Sequence, residues 1–353
     1  MLTNFFLGSN SKDGFHSFYD DLADLKEAKT VYILKGSPGS GKSSIMRTVA
    51  KRCEEKGEKV EYFLCSSDPD SLDAITIPSR GISIVDGTAP HIVEPRYPLA
   101  VERYINLGEF ADCSELMKIK DKIIQVRDKY SEFFSHIYKL TSACGAIDNE
   151  LFDIALGAIS IPKLHKKADG IIRRELKGNG SKSAVLRRFC SAFSKNGVVF
   201  TLNVKEDDFT SVFLIEDSFG LAHFLLSPIL DALSASNFTS VACYDHLVPQ
   251  RLSHILVPEL SLAFVTSNSE TKYNGQYTKK IRLDAMLDHS TVKREKKRIL
   301  RLRKARENIV SDISHLLDSA KICHDELEAL YNPYINFDAV YSFANSLADE
   351  ILK

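Results

Sequence analysis

The residues best suited to chemistry lie in one glycine-rich stretch, Lys35-Gly-Ser-Pro-Gly-Ser-Gly-Lys-Ser-Ser44. Its glycines, lysine and serine have the G-x-x-x-x-G-K-[ST] spacing of the phosphate-binding P-loop, or Walker A, motif. Glycines let the backbone N–H groups turn towards phosphate oxygens, and the following helix adds the positive end of its dipole. The predicted nucleotide-binding residues are Gly36, Ser37, Pro38, Gly39, Ser40, Gly41, Lys42, Ser43 and Ser44.

Lys42 and Ser43, the last two residues of this motif, have separate predicted roles. Lys42 is expected to contact the β- and γ-phosphates as a catalytic cation, and the Ser43 hydroxyl is expected to bind Mg²⁺. Because no N-K-x-D-like guanine signature is evident, ATP is the expected nucleotide. The sequence therefore predicts an ATP and Mg²⁺ site at this loop.

Acidic residues follow two of the predicted strands. Asp86 ends the apolar run Ile82-Ser-Ile-Val-Asp86 and is the best candidate for a second Mg²⁺ ligand, although an Asp can also simply open an Asp-Gly turn. Asp68 and Asp70 follow the strand at 60–65, at the sheet edge where ligands bind in open α/β folds. Either could act as a general base, and the alternative is a solvated acidic loop.

Strands that alternate with helices must position these residues. Apolar strands are predicted at 31–34, 60–65 and 82–86, with helices near 18–28 and after the glycine-rich loop. A long helix follows, because apolar residues recur at alternating spacings of three and four from Leu116 to Leu151. Gly145 lies inside this pattern and is a candidate break, and a helix at 163–176 is expected to fold back on the long one.

The second half of the chain repeats the first. Residues 212–225 match 31–44, residues 248–258 match 68–78, and the long apolar helix returns. In this alignment His223 replaces Lys42 and Phe224 replaces Ser43, while Asp217 and Thr266 replace Gly36 and Asp86. We infer that the second half keeps the fold and has lost the nucleotide.

These patterns predict an α/β protein with duplicated P-loop NTPase domains, each a three-layer α/β/α domain with a parallel sheet followed by a long helical arm. The expected boundaries are 1–110 for the P-loop domain, 111–180 for its arm, 181–290 for the degenerate domain and 291–353 for the second arm.

Composition is that of an ordinary globular protein, with 353 residues, 26% charged and a net charge of −1. The seven scattered cysteines are typical of reduced thiols, and the N-terminus lacks signal-peptide features, so we expect a cytoplasmic protein without a membrane span. The stretch 293–306 carries nine Lys or Arg residues, which we interpret as a solvated helix face rather than a nucleic-acid site.

Three stretches, at residues 35–43, 65–73 and 85–91, resemble a bacterial family of tandem P-loop ATPases, here with a degenerate second loop. The resemblance implies nucleotide binding and no particular substrate. The first functional hypothesis is an ATPase switch that acts on a protein partner through the helical arms. The alternatives are a small-molecule or nucleotide kinase, because Asp68-Pro-Asp70 is similar to the D-x-D of some P-loop kinases, and a nucleic-acid-associated ATPase.

Overall fold

The chain is an α/β protein with two mixed sheets and long helices. The computed structural model describes residues 4–89, 92–204 and 208–353. The strands are β1 (Asn4–Phe5), β2 (Gly8–Ser11), β3 (Gly14–Ser17), β4 (Thr30–Lys35), β5 (Glu61–Leu64), β6 (Leu72–Ile77), β7 (Ile82–Asp86), β8 (Glu102–Asn106), β9 (Ala184–Phe189), β10 (Ser191–Ser194), β11 (Gly197–Phe200), β12 (Ser211–Glu216), β13 (Thr239–Tyr244), β14 (Leu252–Val257), β15 (Leu262–Ser267) and β16 (Lys279–Arg282). The helices are α1 (Lys42–Glu54), α2 (Cys113–Lys118), α3 (Lys120–Leu156), α4 (Ile161–Glu175), α5 (Ala222–Ala235), α6 (His289–Tyr331) and α7 (Phe337–Leu352).

The chain forms two compact units, each assembled from separate stretches of sequence. The loop unit combines residues 17–137 with 314–353 and contains the glycine-rich loop, whereas the repeat unit combines residues 1–16 with 138–313. The boundaries between the units fall inside β3, α3 and α6. Each unit therefore joins segments from both halves of the sequence, unlike the contiguous domains expected from the repeat.

The sheet of the loop unit is mixed rather than parallel. Its strands lie in the order β5-β6-β7-β4-β8, and β4 pairs in parallel with both β7 and β8. Strand β6 runs antiparallel to β5 and β7, so the prediction of a wholly parallel sheet is wrong. The reason is the length of the connections at 65–71 and 78–81, because a parallel crossover needs a dozen residues or more.

The repeat unit contains a sheet built on the same plan. Its order is β16-β12-β15-β14-β13-β9, with β12 parallel to β15 and β16 and with β14 antiparallel to β13 and β15. The duplicated layout inferred from the sequence fits these two sheets.

Helices α4 and α7 each pack against the first helix of the other half's α/β core. Helix α7 ends the second half of the chain, yet Val340, Leu347 and Ile351 belong to the buried core around α1 in the loop unit. Helix α4 follows the first half, yet Leu164 and other α4 residues pack in the core around α5 in the repeat unit. The core of each α/β unit is therefore completed by the arm of the other half.

The helices differ from the sequence prediction in two places. Residues 18–28 contain only a 3₁₀ turn at Tyr19–Asp21, so the predicted helix there is wrong. Helix α3 runs unbroken through Gly145, because this glycine serves close packing: a Cβ there would lie 2.5 Å from the Cβ of Lys12. Among the described residues, no helix combines the length and apolar character needed to span a membrane.

Candidate functional site

The glycine-rich loop connects the end of β4 to the start of α1. Gly39 and Gly41 have left-handed φ values of 72° and 88°, which favour glycine because it has no Cβ. The Lys42 ammonium donates hydrogen bonds of 2.9 Å to the carbonyls of Gly36 and Ser37, so the loop curls around it. The N-cap of α1 is Gly41, which has no side chain to cap the helix. Its first-turn N–H groups are a suitable partner for an anion.

Strand pairing brings Asp86 to this loop. Because β4 and β7 are parallel with Leu34 opposite Asp86, the carboxylate lies at the sheet edge from which the loop departs. One Asp86 oxygen lies 3.6 Å from the Lys42 Nζ, and the other accepts hydrogen bonds from the Thr88 N–H (2.9 Å) and hydroxyl (2.5 Å). Asp86 therefore caps its turn and faces Lys42 at the same time.

A cavity of about 620 Å³ in the loop unit brings the candidate residues together. Its lining includes the loop from Gly36 to Ser44 except Ser37, together with the acids Asp68, Asp73 and Asp86. Asp70 is not among the lining residues: it is exposed, and its backbone carbonyl accepts a hydrogen bond from Arg47. The structure thus gathers Lys42, Ser43, Asp68 and Asp86 and leaves Asp70 outside.

The donor set fits Mg²⁺. The Ser43 hydroxyl and the Asp86 carboxylate line the same cavity, and both are the hard oxygen ligands that Mg²⁺ prefers. The Ser43 oxygen accepts a hydrogen bond of 3.2 Å from the Leu72 N–H. This bond uses one of the two lone pairs of the hydroxyl oxygen, and the second remains for a cation. The Ser40 hydroxyl, also in the loop, is buried and has no hydrogen-bond partner among the described residues.

The acidic loop after β5 is held by neighbours in the cavity wall. Asp68 lies 3.1 Å from the Lys321 Nζ and accepts a hydrogen bond of 3.1 Å from the Ser71 hydroxyl. Burial by itself would raise the pKa of Asp68, but the Lys321 hydrogen bond and charge outweigh it and lower that pKa. Asp73 accepts a hydrogen bond of 2.7 Å from the Tyr19 hydroxyl. Desolvation and the Asp73 charge raise the pKa of Cys65 well above its ordinary value, so a thiolate nucleophile is disfavoured there.

The sequence analysis missed the helical wall of this cavity. It is formed by α3, through Arg127 and Tyr130, and by α6, through Lys321, His324 and Glu328. A Cβ on Gly39 would lie 2.4 Å from the Asn332 side-chain oxygen and 3.2 Å from the Glu328 Cβ, so the end of α6 touches the loop. Tyr130 belongs to the predicted apolar seam and the other four residues flank it, and the seam pattern alone does not say which cavity they face.

The counterpart loop in the repeat unit is one residue shorter. Thr30 begins β4 and Lys42 begins α1, whereas Ser211 begins β12 and Ala222 begins α5. Ala222 is therefore the counterpart of Lys42. Ser43 and His223 correspond because each accepts the backbone N–H of the equivalent leucine, Leu72 or Leu252. The alignment of His223 with Lys42 and of Phe224 with Ser43 is thus wrong by one residue, although both chemical groups are still missing.

In that counterpart loop, a carboxylate of the protein occupies the position that a bound anion would take. Asp217 is buried, and its two oxygens accept hydrogen bonds from the N–H groups of Phe219 (3.0 Å) and Ala222 (2.6 Å) at the start of α5. The Arg251 guanidinium lies 4.1 Å from the centre of the Phe152 ring and is close to Gly220. In the repeat unit, a side chain therefore accepts the hydrogen bonds of the backbone N–H groups of this loop.

Part of the basic stretch of α6 is paired within the repeat unit. Arg306 donates to Asp148 at 2.6 Å and to both Glu270 oxygens at 2.8 Å, and Arg298 pairs with Glu150 at 2.5 Å. These internal partners favour the interpretation of a structural, solvated face. The last two residues of the stretch 85–91 lie outside the described residues.

Comparison with known proteins gives one partial likeness. Residues 15–79 match the family model described as Nephrocystin 3, N-terminal. The matched segment contains the whole glycine-rich loop and the acidic loop and stops before Asp86. The comparison with curated proteins and the comparison with solved structures found no match.

Proposed function

We propose that this protein binds Mg-ATP at the glycine-rich loop and hydrolyses it, and that the bound nucleotide acts as a switch on a protein partner. One observation carries the proposal: Lys42, Ser43, Asp86 and the uncapped start of α1 converge on one cavity of about 620 Å³. The partial likeness of residues 15–79 supports it, since that family is associated with NTPase-like proteins.

The residues of the cavity divide the work of holding a triphosphate. The β- and γ-phosphates would accept hydrogen bonds from the loop N–H groups, and Lys42 would exchange its two loop carbonyls for phosphate oxygens. Ser43 and Asp86 would hold Mg²⁺, which neutralises phosphate charge when it is bound. With this assignment the loop unit would be a P-loop domain with the three-layer α/β/α fold. Asp68 would be the leading candidate among its acids for a catalytic role.

Contacts between the loop and the helices support a switch. Gly39 packs against Glu328 and Asn332 at the end of α6, and a Cβ on Gly41 would lie 2.9 Å from Val340 of α7. A ligand that reshapes the loop therefore acts on both helices through direct contact. The partner would be a protein that recognises the arms in one nucleotide state.

The test is ADP production from Mg-ATP with no acceptor added, measured beside nucleotide affinity for the wild type and Lys42→Ala. We expect slow turnover and binding in the wild type and loss of both in Lys42→Ala. The matched control is Lys51→Ala, an exposed lysine of the same helix, which should leave both unchanged. Wild-type protein that fails to bind Mg-ATP would refute the proposal.

The kinase alternative is less well supported, because Asp70 of the D-x-D pattern lies outside the cavity wall. It would replace the ATPase proposal if Mg-ATP binds tightly, no ADP forms without an acceptor, and Asp70→Asn removes acceptor phosphorylation. The nucleic-acid alternative requires binding to DNA or RNA with a steep salt dependence.

A further inference from the structure

Lys321 places a cation from the second arm in the candidate nucleotide cavity. Its ammonium lies 3.1 Å from Asp68 and 2.7 Å from Asp325, and its side chain is only 26% exposed. Asp68 in turn follows β5 and lines the same cavity as Lys42. The ion pair therefore joins α6 to the acidic loop beside the site.

The position of α6 makes this cation available to a bound ligand. Lys321, His324 and Glu328 are spaced by three and four residues, so they lie on one face of the helix, and all three line the cavity. Glu328 contacts the glycine-rich loop at Gly39. A triphosphate whose β-phosphate rests on the loop would extend beneath this face.

Of the three cavity-lining residues on this helix face, Lys321 is the one that carries a positive charge. Burial lowers the pKa of His324, so its imidazole is neutral near pH 7. Its Nδ1 is buried without a hydrogen-bond partner among the described residues. Glu328 would repel a phosphate, so among the three cavity-facing residues of this helix face only Lys321 can attract one.

We propose that Lys321 binds the γ-phosphate of the nucleotide and that Asp68 holds Lys321 in the nucleotide-free protein. This inference rests on the proposed function. When ATP binds, Lys321 exchanges the Asp68 carboxylate for γ-phosphate oxygens, and ADP leaves the Lys321–Asp68 pair intact. The second arm thereby distinguishes ATP from ADP, because only ATP makes the additional contact.

The exchange also prepares Asp68 to act as a base. Burial favours the neutral form of this carboxyl, and the Lys321 charge now opposes that effect. Once Lys321 moves to the phosphate, Asp68 becomes more basic. It then accepts a proton from the attacking water while the water oxygen bonds to the γ-phosphorus. The bond from the γ-phosphorus to the bridging oxygen breaks, and its electron pair leaves with ADP.

The experiment compares the affinities of a non-hydrolysable ATP analogue and of ADP, both with Mg²⁺, for the full-length chain and its variants. Lys321→Ala should weaken the analogue about tenfold to a hundredfold, the worth of a charged hydrogen bond, while ADP changes by less than about twofold. Lys321→Arg should restore most of the analogue affinity. Asp68→Asn should strengthen analogue binding about two- to fivefold, because it weakens the competing partner.

The matched control is Lys304→Ala, an exposed lysine on the same helix, which should change neither affinity. Equal weakening of both nucleotides by Lys321→Ala, or no weakening, would overturn the inference. If Lys42→Ala abolishes binding while Lys321→Ala leaves the analogue unchanged, the proposed function stands and this inference fails. If the wild type binds neither nucleotide, both fail.

Discussion

The packing of α7 on α1 predicts that a substitution near the C-terminus destabilises the helix that begins at Lys42. Leu347 is 3% exposed and lies in the core of the loop unit with Ile45, Met46 and Val49 of α1. Leu347→Ala removes buried side-chain atoms from this core. We therefore expect the backbone amides of α1, about three hundred residues away in the sequence, to lose protection against hydrogen exchange.

The size of the effect follows from the burial. Replacing a fully buried leucine by alanine costs about 2–5 kcal/mol through lost transfer free energy and the cavity that remains. A loss of about 3 kcal/mol accelerates exchange through opening of this core about a hundredfold.

Hydrogen exchange followed by mass spectrometry measures this change segment by segment. Leu347→Ala should accelerate the amides of Lys42–Glu54 and leave those of Ala222–Ala235 near their wild-type rates. The matched variant is Leu164→Ala in α4, which is fully buried in the core around α5 and should produce the opposite pattern.

Acceleration of Ala222–Ala235 by Leu347→Ala, with α1 unchanged, would refute the crossed packing of the arms. It would instead mean that each arm packs against the half of the chain that precedes it. Acceleration of both segments to the same extent by either variant would show global unfolding and would also contradict separate cores.

Three further predictions concern single sites. Gly39→Ala should destabilise the loop unit by about 1–3 kcal/mol in chemical denaturation, because alanine is strained at φ 72° and its Cβ meets the end of α6. Arg306→Met should cost about 3–5 kcal/mol, because it leaves the Asp148 and Glu270 carboxylates partly buried without their partner. Burial lowers the pKa of His254 to about 3, whereas in the unfolded chain it titrates near its ordinary value. The unfolded state then binds the extra proton, so stability should fall as the pH falls below about 6.5, by about 1.4 kcal/mol per pH unit for this side chain.

Each of these predictions has a matched control. Gly57 also has a left-handed φ, of 81°, but a Cβ there would meet no atom within 4 Å. Gly57→Ala therefore measures the backbone strain alone, without the steric contact expected for Gly39→Ala. Arg301→Met changes an exposed arginine of the same helix and should be nearly neutral. His254→Asn should flatten the pH dependence and His289→Asn should not, because His289 is exposed. If His254→Asn loses stability with falling pH as steeply as His289→Asn does, the assignment is contradicted.

The sequence by itself determined the local features of the candidate site. The glycine-rich turn, the strand before it and the helix after it are adjacent in the chain, and the left-handed backbone at Gly39 and Gly41 follows from residue type. The strand Ile82–Asp86 was predicted with the bounds that the structure has. Such features depend on periodicity and turn chemistry, which operate over a few residues.

Tertiary structure alone decided which elements surround that site. Helices α4 and α7 are both short and amphipathic, so their apolar faces are interchangeable as patterns, and only packing assigns α7 to α1 and α4 to α5. The same holds for Lys321, whose position beside the apolar seam is visible in the sequence but whose partner Asp68 lies some 250 residues earlier. Contacts of this range depend on which surfaces meet, and one-dimensional patterns do not encode that choice.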